Sequence, residues 1–524
     1  MRIKRGATLR KEADGCLAFS TLSQHGGSFH LDIVALMTRS IVLLTLFVSV
    51  AAAKGSDFCD KLKQQALPNA QITSASAEES GAFTPPGNAK QIASLPPFCR
   101  IQVQASPTTD SDIHSEVWLP LTNWNGRLLA VGSGGWGGSI GYESMADALR
   151  RGYATSATDD GHTGGSAAFL AGHPEKFIDF SYRAEHEMTI EAKALIAAFY
   201  GRKAQRSYWS GCSGGGREGL LQAYRYPTEF DGIIAGDPAN MRRNAWALWL
   251  AVETFKDPAA TIPRDKYAMI HRAVLAACDA GDGLKDGLIS YPPDCHPNFK
   301  ALQCDGADRS DCLTPRQVTA AQTIISPATT ASGKIMFPRL EPGTELAWGR
   351  LAGGPEPADL FVDQFRYLVY QNPQWDWRTF DLERDAGKAN AVNKGVDEFE
   401  PNLTAFAKHG GKLLIYHGWA DQQVAPGSSI EFYEALGPAS DWARLFMVPG
   451  MGHCSGGEGP DSFDKIAALE QWVEQGKAPE RIVATHRTAG KVDRTRPLCP
   501  YPQVARYKGS GSIDDEAHFV CVIR

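Results

Sequence analysis

The 524-residue sequence has no excess of basic residues: 53 Lys and Arg stand against 59 Asp and Glu, for a formal net charge of −6. It therefore offers no basic footprint for nucleic acid and no polybasic anchor for a membrane surface. It contains no internal repeat and no long low-complexity tract, which argues against a solenoid or a largely disordered chain. Its N-terminal apolar stretch, residues 41–50, is too short to make a good transmembrane helix. What is present, 43% hydrophobic and 21% charged residues, is ordinary globular composition in a chain long enough for a large core and more than one domain.

The segment "MTRSIVLLTLFVSVAAAKG", beginning at Met37, has the parts of a secretory signal. Arg39 supplies the positive region, residues 41–50 the apolar region and Ala51-Ala52-Ala53 a small-residue cleavage site. The expectation is a signal peptide over 37–53, an upstream extension over 1–36 that precedes the true start, and a secreted or periplasmic protein with no membrane anchor in its mature form. Export gives the cysteines a meaning. Setting aside Cys16, ten of the 11 remain: Cys59, Cys99, Cys212, Cys278, Cys295, Cys304, Cys312, Cys454, Cys499 and Cys521. An even set in an oxidising compartment reads as a disulfide framework whose connectivity the sequence leaves open, with Cys304 and Cys312 natural partners by proximity.

Short β-type runs, "CRIQVQAS", "DIHSEVWLP" and "RLLAVGSGGWGG", occupy 99–138. Helical spacing of Met188, Ile190, Ala192, Leu195, Ile196 and Phe199 marks a helix within 177–200, and "RSYWSGC" returns to strand. "FDGIIAGDPA", "GKLLIYHGWAD" and "WARLFMVPGMGHC" read as further strands, and an amphipathic helix follows over 463–475. Strands alternating with helices predict an α/β fold with a parallel sheet. Residues 240–401 break the alternation and are rich in Pro, Trp, Cys and Asp-Gly turns, so they read as an inserted lid domain between two core parts, 54–239 and 402–524.

Gly211-Cys212-Ser213-Gly214-Gly215 satisfies G-x-S-x-G, in which small residues let a strand turn sharply into a helix with the serine at its apex. A serine hydroxyl attacks only when an imidazole takes its proton and a carboxylate fixes that imidazole's tautomer. In α/β hydrolases the three occur in the order Ser, Asp, His, each on a loop after a core strand. Ser213 after "RSYWSGC", Asp421 after "KLLIYHGWA" and His453 after "LFMVPGMG" meet that order. Asp237 also ends a strand, and His417 lies near Asp421; as the base His417 would invert the order, so it reads as a pocket-wall residue in contact with substrate or as a satisfied structural histidine. Cys212 precedes the nucleophile and Cys454 follows the base. If Ser213 and His453 are within hydrogen-bond reach, these two can meet the ~4.4–6.8 Å Cα separation of a disulfide, which would staple the two loops together.

The motifs "GCSGGGREG", "HGWADQQVAP", "PGMGHC", "ATDDGHTGG" and "CDAGDGLKDGLIS" closely resemble the tannase and feruloyl esterase family, which includes a plastic-monomer half-ester hydrolase. The resemblance runs from about Cys59 to Cys521. It implies an α/β-hydrolase core, a large inserted lid and a disulfide joining the active-site loops, with Ser213 as nucleophile, Asp421 as acid and His453 as base. It further implies the bridges Cys59–Cys99, Cys278–Cys295, Cys304–Cys312 and Cys499–Cys521. The oxyanion hole would take the amide of Gly214, the residue after the nucleophile, and one from "GSGGWGG", for which Gly135 is the choice and Gly134 the neighbour.

Asp279, Asp282 and Asp286 crowd into one glycine-rich loop, where Lys285 alone cannot balance them. Their spacing is not the EF-hand pattern, and by residue chemistry calcium and solvated Asp-Gly turns are both open. The resemblance implies a structural Ca²⁺ held by these three and the carbonyls of Leu284 and Leu288, with no catalytic cofactor. The expected function is hydrolysis of small-molecule esters of aromatic acids, hydroxycinnamates such as ferulate ahead of gallate or terephthalate half-esters. Phe361, Phe365, Tyr367, Tyr370, Trp375, Trp377 and Trp419 offer aromatic surface, and Arg366 or Arg378 offers a bidentate partner for a second carboxylate. Acyl transfer to an alcohol, peptidase activity on the same triad and a calcium-stabilised binding protein without catalysis are the rivals.

Overall fold

The computed structural model describes residues 57–350, 356–395, 402–439 and 441–524. The expected signal and upstream extension, with Cys16, lie outside the described residues. Its centre is a nine-stranded sheet whose strands are β1 (Ala70–Glu78), β2 (Phe98–Ala105), β3 (Ile113–Pro120), β4 (Arg127–Val131), β5 (Ala154–Thr158), β6 (Arg206–Cys212), β7 (Gly232–Gly236), β8 (Lys412–Gly418) and β9 (Ala443–Val448). The spatial order is β1-β2-β3-β5-β4-β6-β7-β8-β9.

From β5 to β9 every neighbouring pair is parallel, as the strand and helix alternation predicts. The first strands differ: β1 with β2, β2 with β3 and β3 with β5 are antiparallel, so the sheet is mixed. The short link between β2 and β3 is the physical reason, since a parallel return needs a crossover of a dozen or more residues. Among the parallel strands, β4 "RLLAV", β7 "GIIAG", β8 "KLLIYHG" and β9 "ARLFMV" read as largely apolar runs because both faces are covered. Helices α1 (Tyr142–Arg150), α2 (Ala184–Tyr200) and α3 (Gly214–Arg225) supply part of that cover.

Between β7 and β8 the chain leaves the sheet for a largely helical segment that includes α4 (Arg242–Phe255), α5 (Tyr267–Cys278), α6 (Pro315–Ile324) and α7 (Leu382–Val392). Its own core gathers Trp246, Leu250, Ile270, Trp348, Phe361, Phe365 and Trp377. The chain then completes the sheet and adds α8 (Gly427–Ala435), α9 (Lys465–Gln475), a three-stranded sheet reaching Leu498 and a C-terminal hairpin of Gln503–Tyr507 with Phe519–Ile523. Among the described residues no helix is long and apolar enough to cross a membrane.

Candidate active site at the strand ends

Ser213 stands directly after β6 and caps α3 with φ 59° and ψ −119°. A non-glycine residue is strained there, and the strain persists only because surrounding contacts fix it. The Ser213 amide donates to the Gly236 carbonyl at 2.9 Å, and the Ser213 carbonyl accepts from the amides of Arg217 and Ala239. The flanking residues must be small. A Cβ on Gly211 would lie 2.2 Å from the Gly215 carbonyl oxygen, and one on Gly215 would lie 2.9 Å from that of Ser133. The sequence G-x-S-x-G is thus the steric requirement of the turn itself.

The glycine loop after β4 packs against this elbow. Gly215 donates its amide to the Ser133 carbonyl at 2.9 Å, and a Cβ on Gly214 would meet Gly134 Cα at 3.3 Å and Gly135 N at 3.5 Å. The amides expected to face an oxyanion therefore belong to two backbone segments in van der Waals contact.

Asp421 follows β8 and His453 follows β9. His453 Nδ1 lies 2.7 Å from Asp421 Oδ2, while Asp421 Oδ1 accepts from the amides of Gln423 and Val424 at 2.7 and 2.9 Å. Burial by itself would raise the Asp421 carboxyl, but the charge of His453 and the hydrogen bonds from His417 and His453 outweigh it and hold Asp421 well below the ordinary carboxylate range. Asp421 is thus a buried anion oriented toward the imidazole. Cys212 and Cys454 are joined, with a Cα separation of 5.9 Å across 242 residues of sequence. This bond ties the residue before Ser213 to the residue after His453. The structure also joins Cys59 to Cys99, Cys278 to Cys295, Cys304 to Cys312 and Cys499 to Cys521.

His417 is not a substrate contact. Its side chain is fully buried, with Nδ1 2.7 Å from Ser429 Oγ and Nε2 3.1 Å from Asp421 Oδ2 and 3.2 Å from the Val424 carbonyl. With both nitrogens satisfied it braces Asp421 from behind, the structural alternative of the two expected. Asp237, 3.7 Å from His417 Nε2, accepts the Gly418 amide at 3.0 Å. Burial pushes its carboxyl up to about 8.

Trp419 lies directly after β8, two residues before Asp421. It borders a cavity of about 560 Å³ that His453 also lines, with Tyr267, His271, Leu346 and Gln422. Of the insertion's aromatic residues Tyr267 borders it, whereas the six expected to offer aromatic surface do not. Phe361, Phe365, Trp375 and Trp377 are buried in the insertion's own core, and Tyr370 stacks on Trp375 at 5.2 Å. Tyr367 packs in a separate cluster around Trp136 and Phe180. Apolar rings in a segment that must build its own core are consumed by that core. Arg366 pairs with Asp359 at 2.8 Å and with Asp363 at 3.5 Å, and Arg378 pairs with Asp376 at 3.2 Å and with Glu356. Both guanidiniums serve protein acids.

Sequence reasoning missed Arg243, whose Nη1 lies 3.5 Å from Ser213 Oγ. Its signal was available, since "NMRRN" opens α4 directly after the strand end that carries Asp237. It also missed His271, which approaches Glu345 at 2.8 Å and Glu458 at 2.7 Å and so connects α5 to the loop beyond His453.

In the acidic loop, Asp279 Oδ1 accepts the amides of Asp286 and Gly287 at 3.1 Å, Asp282 Oδ1 accepts that of Leu284 at 2.9 Å, and Asp286 pairs with Arg496 at 2.5 Å. The three carboxylates do not converge on a point: among the described residues, acid, His and Cys groups with ligand atoms within 4.8 Å of one another lie elsewhere. The donor set is all hard oxygen, which suits Ca²⁺ or Mg²⁺ and excludes a soft-metal site.

A strand-ended serine elbow followed by acid and imidazole loops on a sheet of this order defines an α/β-hydrolase fold. The family model for tannase and feruloyl esterase matches residues 99–522, and the chain belongs to that family of carboxylic ester hydrolases. An uncharacterized esterase of Xanthomonas campestris pv. campestris is 36% identical, covering 94% of this chain and 95% of its own. A probable feruloyl esterase B-2 of Aspergillus oryzae is 32% identical over 90% of this chain and 95% of its own. The crystal structure of feruloyl esterase B from Aspergillus oryzae superposes with a TM-score of 0.85 at 31% identity, covering 89% of this chain and all of that one. A tannin acyl hydrolase from Aspergillus niger, at 22% identity and TM-score 0.73 over 90% of this chain and 95% of that one, shares the fold.

Proposed function

We propose that this protein hydrolyses esters of aromatic acids through an acyl-enzyme on Ser213, with hydroxycinnamates such as ferulate as the preferred acyl group. Ser213 Oγ attacks the ester carbonyl while His453 takes its proton; Asp421 holds the imidazole with its other nitrogen free for that exchange. The tetrahedral oxyanion is met by the amides of Gly214 and Gly135, whose segments touch at the elbow. His453 then protonates the leaving alcohol, and water releases the acid by the reverse path. The observation that carries this reading is the conjunction of a strained serine elbow, an oriented imidazole 2.7 Å from a buried carboxylate, and a disulfide tying the two loops.

The acyl preference is supported by the feruloyl esterase relatives and by Trp419 beside His453 at the cavity, where an aromatic face can hold a planar acid. Initial rates on methyl ferulate, methyl gallate, a terephthalate half-ester and short aliphatic esters test it, because discrimination is a ratio of kcat/KM values. Ferulate should lead; aliphatic esters leading would refute the aromatic site.

The same reading extends to metal and location. Asp279, Asp282, Asp286 and the carbonyls of Leu284 and Leu288 would hold a structural Ca²⁺, which supplies charge balance to the loop and takes no part in the ester chemistry. Elemental analysis and melting with and without chelator test this; no bound calcium and an unchanged Tm would remove it. The ten paired cysteines accord with an oxidising compartment, secreted or periplasmic. Processing after Ala53, read by N-terminal sequencing of exported protein, tests that assignment.

A further inference from the structure

The glycine loop after β4 rests on buried acids that the ester chemistry does not use. Asp160, Glu185 and Glu218 are sealed from solvent, with carboxylate oxygens within 4.8 Å of one another. The cation beside them is Arg217, whose Nη2 lies 3.9 Å from Glu218 Oε1 and also donates to the Phe180 carbonyl, while its Nη1 donates to that of Ser181. Three ionised carboxylates against one guanidinium in a dry pocket would be costly, so protons must be retained.

Ser133 connects this cluster to the loop. Its amide donates to Glu218 Oε2 at 2.9 Å, and its hydroxyl oxygen lies 2.6 Å from Glu218 Oε1 and 2.6 Å from Asp160 Oδ2. A hydroxyl has one proton and can donate in only one of those two directions; the other short contact needs a proton on the carboxyl. Glu218 accepts on both oxygens and has Arg217 near, so it is the anion. Asp160 is left as the acid. Burial first, and then the charge of Glu218, push Asp160 well above the ordinary carboxylate range. The contact is close enough to shape the loop, since a Cβ on Gly137 would lie 2.1 Å from Asp160 Oδ2 and one on Gly132 would lie 2.8 Å from Glu218 Oε2.

We propose that Asp160 is held as a neutral carboxylic acid donating to Ser133 Oγ, that Ser133 in turn donates to the Glu218 carboxylate, and that this ordered chain positions the oxyanion loop carrying Gly134 and Gly135. Asp160, Ser133 and Glu218 are positioning residues, and their role rests on the reading of Gly135 as an oxyanion donor. Glu218 and Asp159 face Asp160 with negative charge and Arg217 with positive charge, while burial first, and then the charge of Glu218, push the neighbouring Glu185 carboxyl well above the ordinary range. Deprotonating Asp160 would set two anions against one hydroxyl and release the loop, so kcat should fall as pH rises through the Asp160 titration.

The test compares wild type with Asp160→Ala, Asp160→Asn and Ser133→Ala, measuring kcat and KM for p-nitrophenyl acetate across pH, Tm, and infrared difference spectra. Asp160→Ala and Ser133→Ala should lose about tenfold or more in kcat with little change in KM, in the direction of a misplaced oxyanion donor. Asp160→Asn should recover most of that loss, because a carboxamide N–H donates where the acid O–H did, and its kcat should lack the alkaline decline. The wild-type minus Asp160→Asn spectrum should contain the carbonyl band of a protonated carboxyl. An Asn variant as impaired as the Ala variant at unchanged Tm, or a difference spectrum with carboxylate bands alone, would overturn the proposal. The infrared result stands even if Asp160→Ala does not fold. Absence of wild-type esterase activity would instead fail the assignment of Ser213 and leave the proton on Asp160 to the spectra.

Discussion

The strand ends of the sheet and the inserted segment build the same site by opposite means. Ser213, Asp421 and His453 each follow a strand of one sheet, so a parallel register already brings their loops to one edge. In the insertion, the side chains that reach the cavity include Tyr267 and His271 from α5 and Leu346 from the short helical turn Glu345–Arg350, while most of the insertion's aromatics fill its own core. At the sheet edge chemistry follows from chain position. In the insertion it follows from how the core happens to close, and apolar bulk there signals stability before it signals binding.

That contrast can be broken most sharply by exchanging activity for stability in the two regions. Ser213→Ala or His453→Ala should lower kcat by on the order of 10⁶-fold, and Asp421→Asn by on the order of 10⁴-fold, with Tm little changed. Phe365→Ala, in the insertion core, should do the reverse and cost about 3–5 kcal/mol of stability with KM nearly unaltered in the folded fraction. A Phe365→Ala variant with normal Tm and a raised KM for aromatic esters would return that ring to the substrate site.

The disulfides give a second comparison. By loop entropy, opening Cys212–Cys454 with its separation of 242 residues should cost about 5 kcal/mol at most, and opening Cys304–Cys312 with its separation of 8 about 2–3 kcal/mol. Urea melts of the paired Ser variants read the stability difference, and only the first should also lower kcat. Equal effects on kcat would mean that the bond does not hold the two catalytic loops.

Smaller effects concern the cavity wall and the link between the regions. Trp419→Ala should raise KM for methyl ferulate by about tenfold, of the order expected for one well-packed aromatic contact, and leave p-nitrophenyl acetate hydrolysis nearly intact. His271 resists the lowering effect of burial through hydrogen bonds to Glu345 and Glu458, which push it up to about 9. A raised imidazole contributes stability that is complete below about 6.5, its unfolded value, and is lost as pH rises through about 9. The Tm difference between wild type and His271→Ala should therefore shrink as pH rises from 6 to 10, and a constant difference would separate the link from this titration.

The same contrast explains what could be read from the residues alone. The elbow was legible because Gly211 and Gly215 have no alternative at that turn, and the staple because Cys212 and Cys454 adjoin two residues that must meet. The parallel half of the sheet also follows from the alternation of strands and helices, whereas the residues leave the pairing of the other cysteines open and only the family resemblance implied those four bridges. The antiparallel start of the sheet was not apparent, because strand β1 reads as a polar run, "AQITSASAE", with little apolar alternation. Nor could sequence tell that His417 turns inward to brace Asp421, or that Arg243 reaches Ser213 Oγ, since both depend on directions of side chains at one strand end. The Ser133 hydroxyl between two carboxyls depends on contacts between residues 27 and 85 positions apart and leaves no local pattern.

Ester hydrolysis by this site requires a covalent step at Ser213. Incubation with a fluorophosphonate followed by mass mapping of non-reduced and reduced digests should place one label on the peptide bearing Ser213, with that peptide linked through Cys212 to the one bearing Cys454 before reduction. Labelling should disappear in Ser213→Ala and should track loss of esterase activity in wild type. Label on another serine, or full activity in protein whose Ser213 is modified, would contradict it.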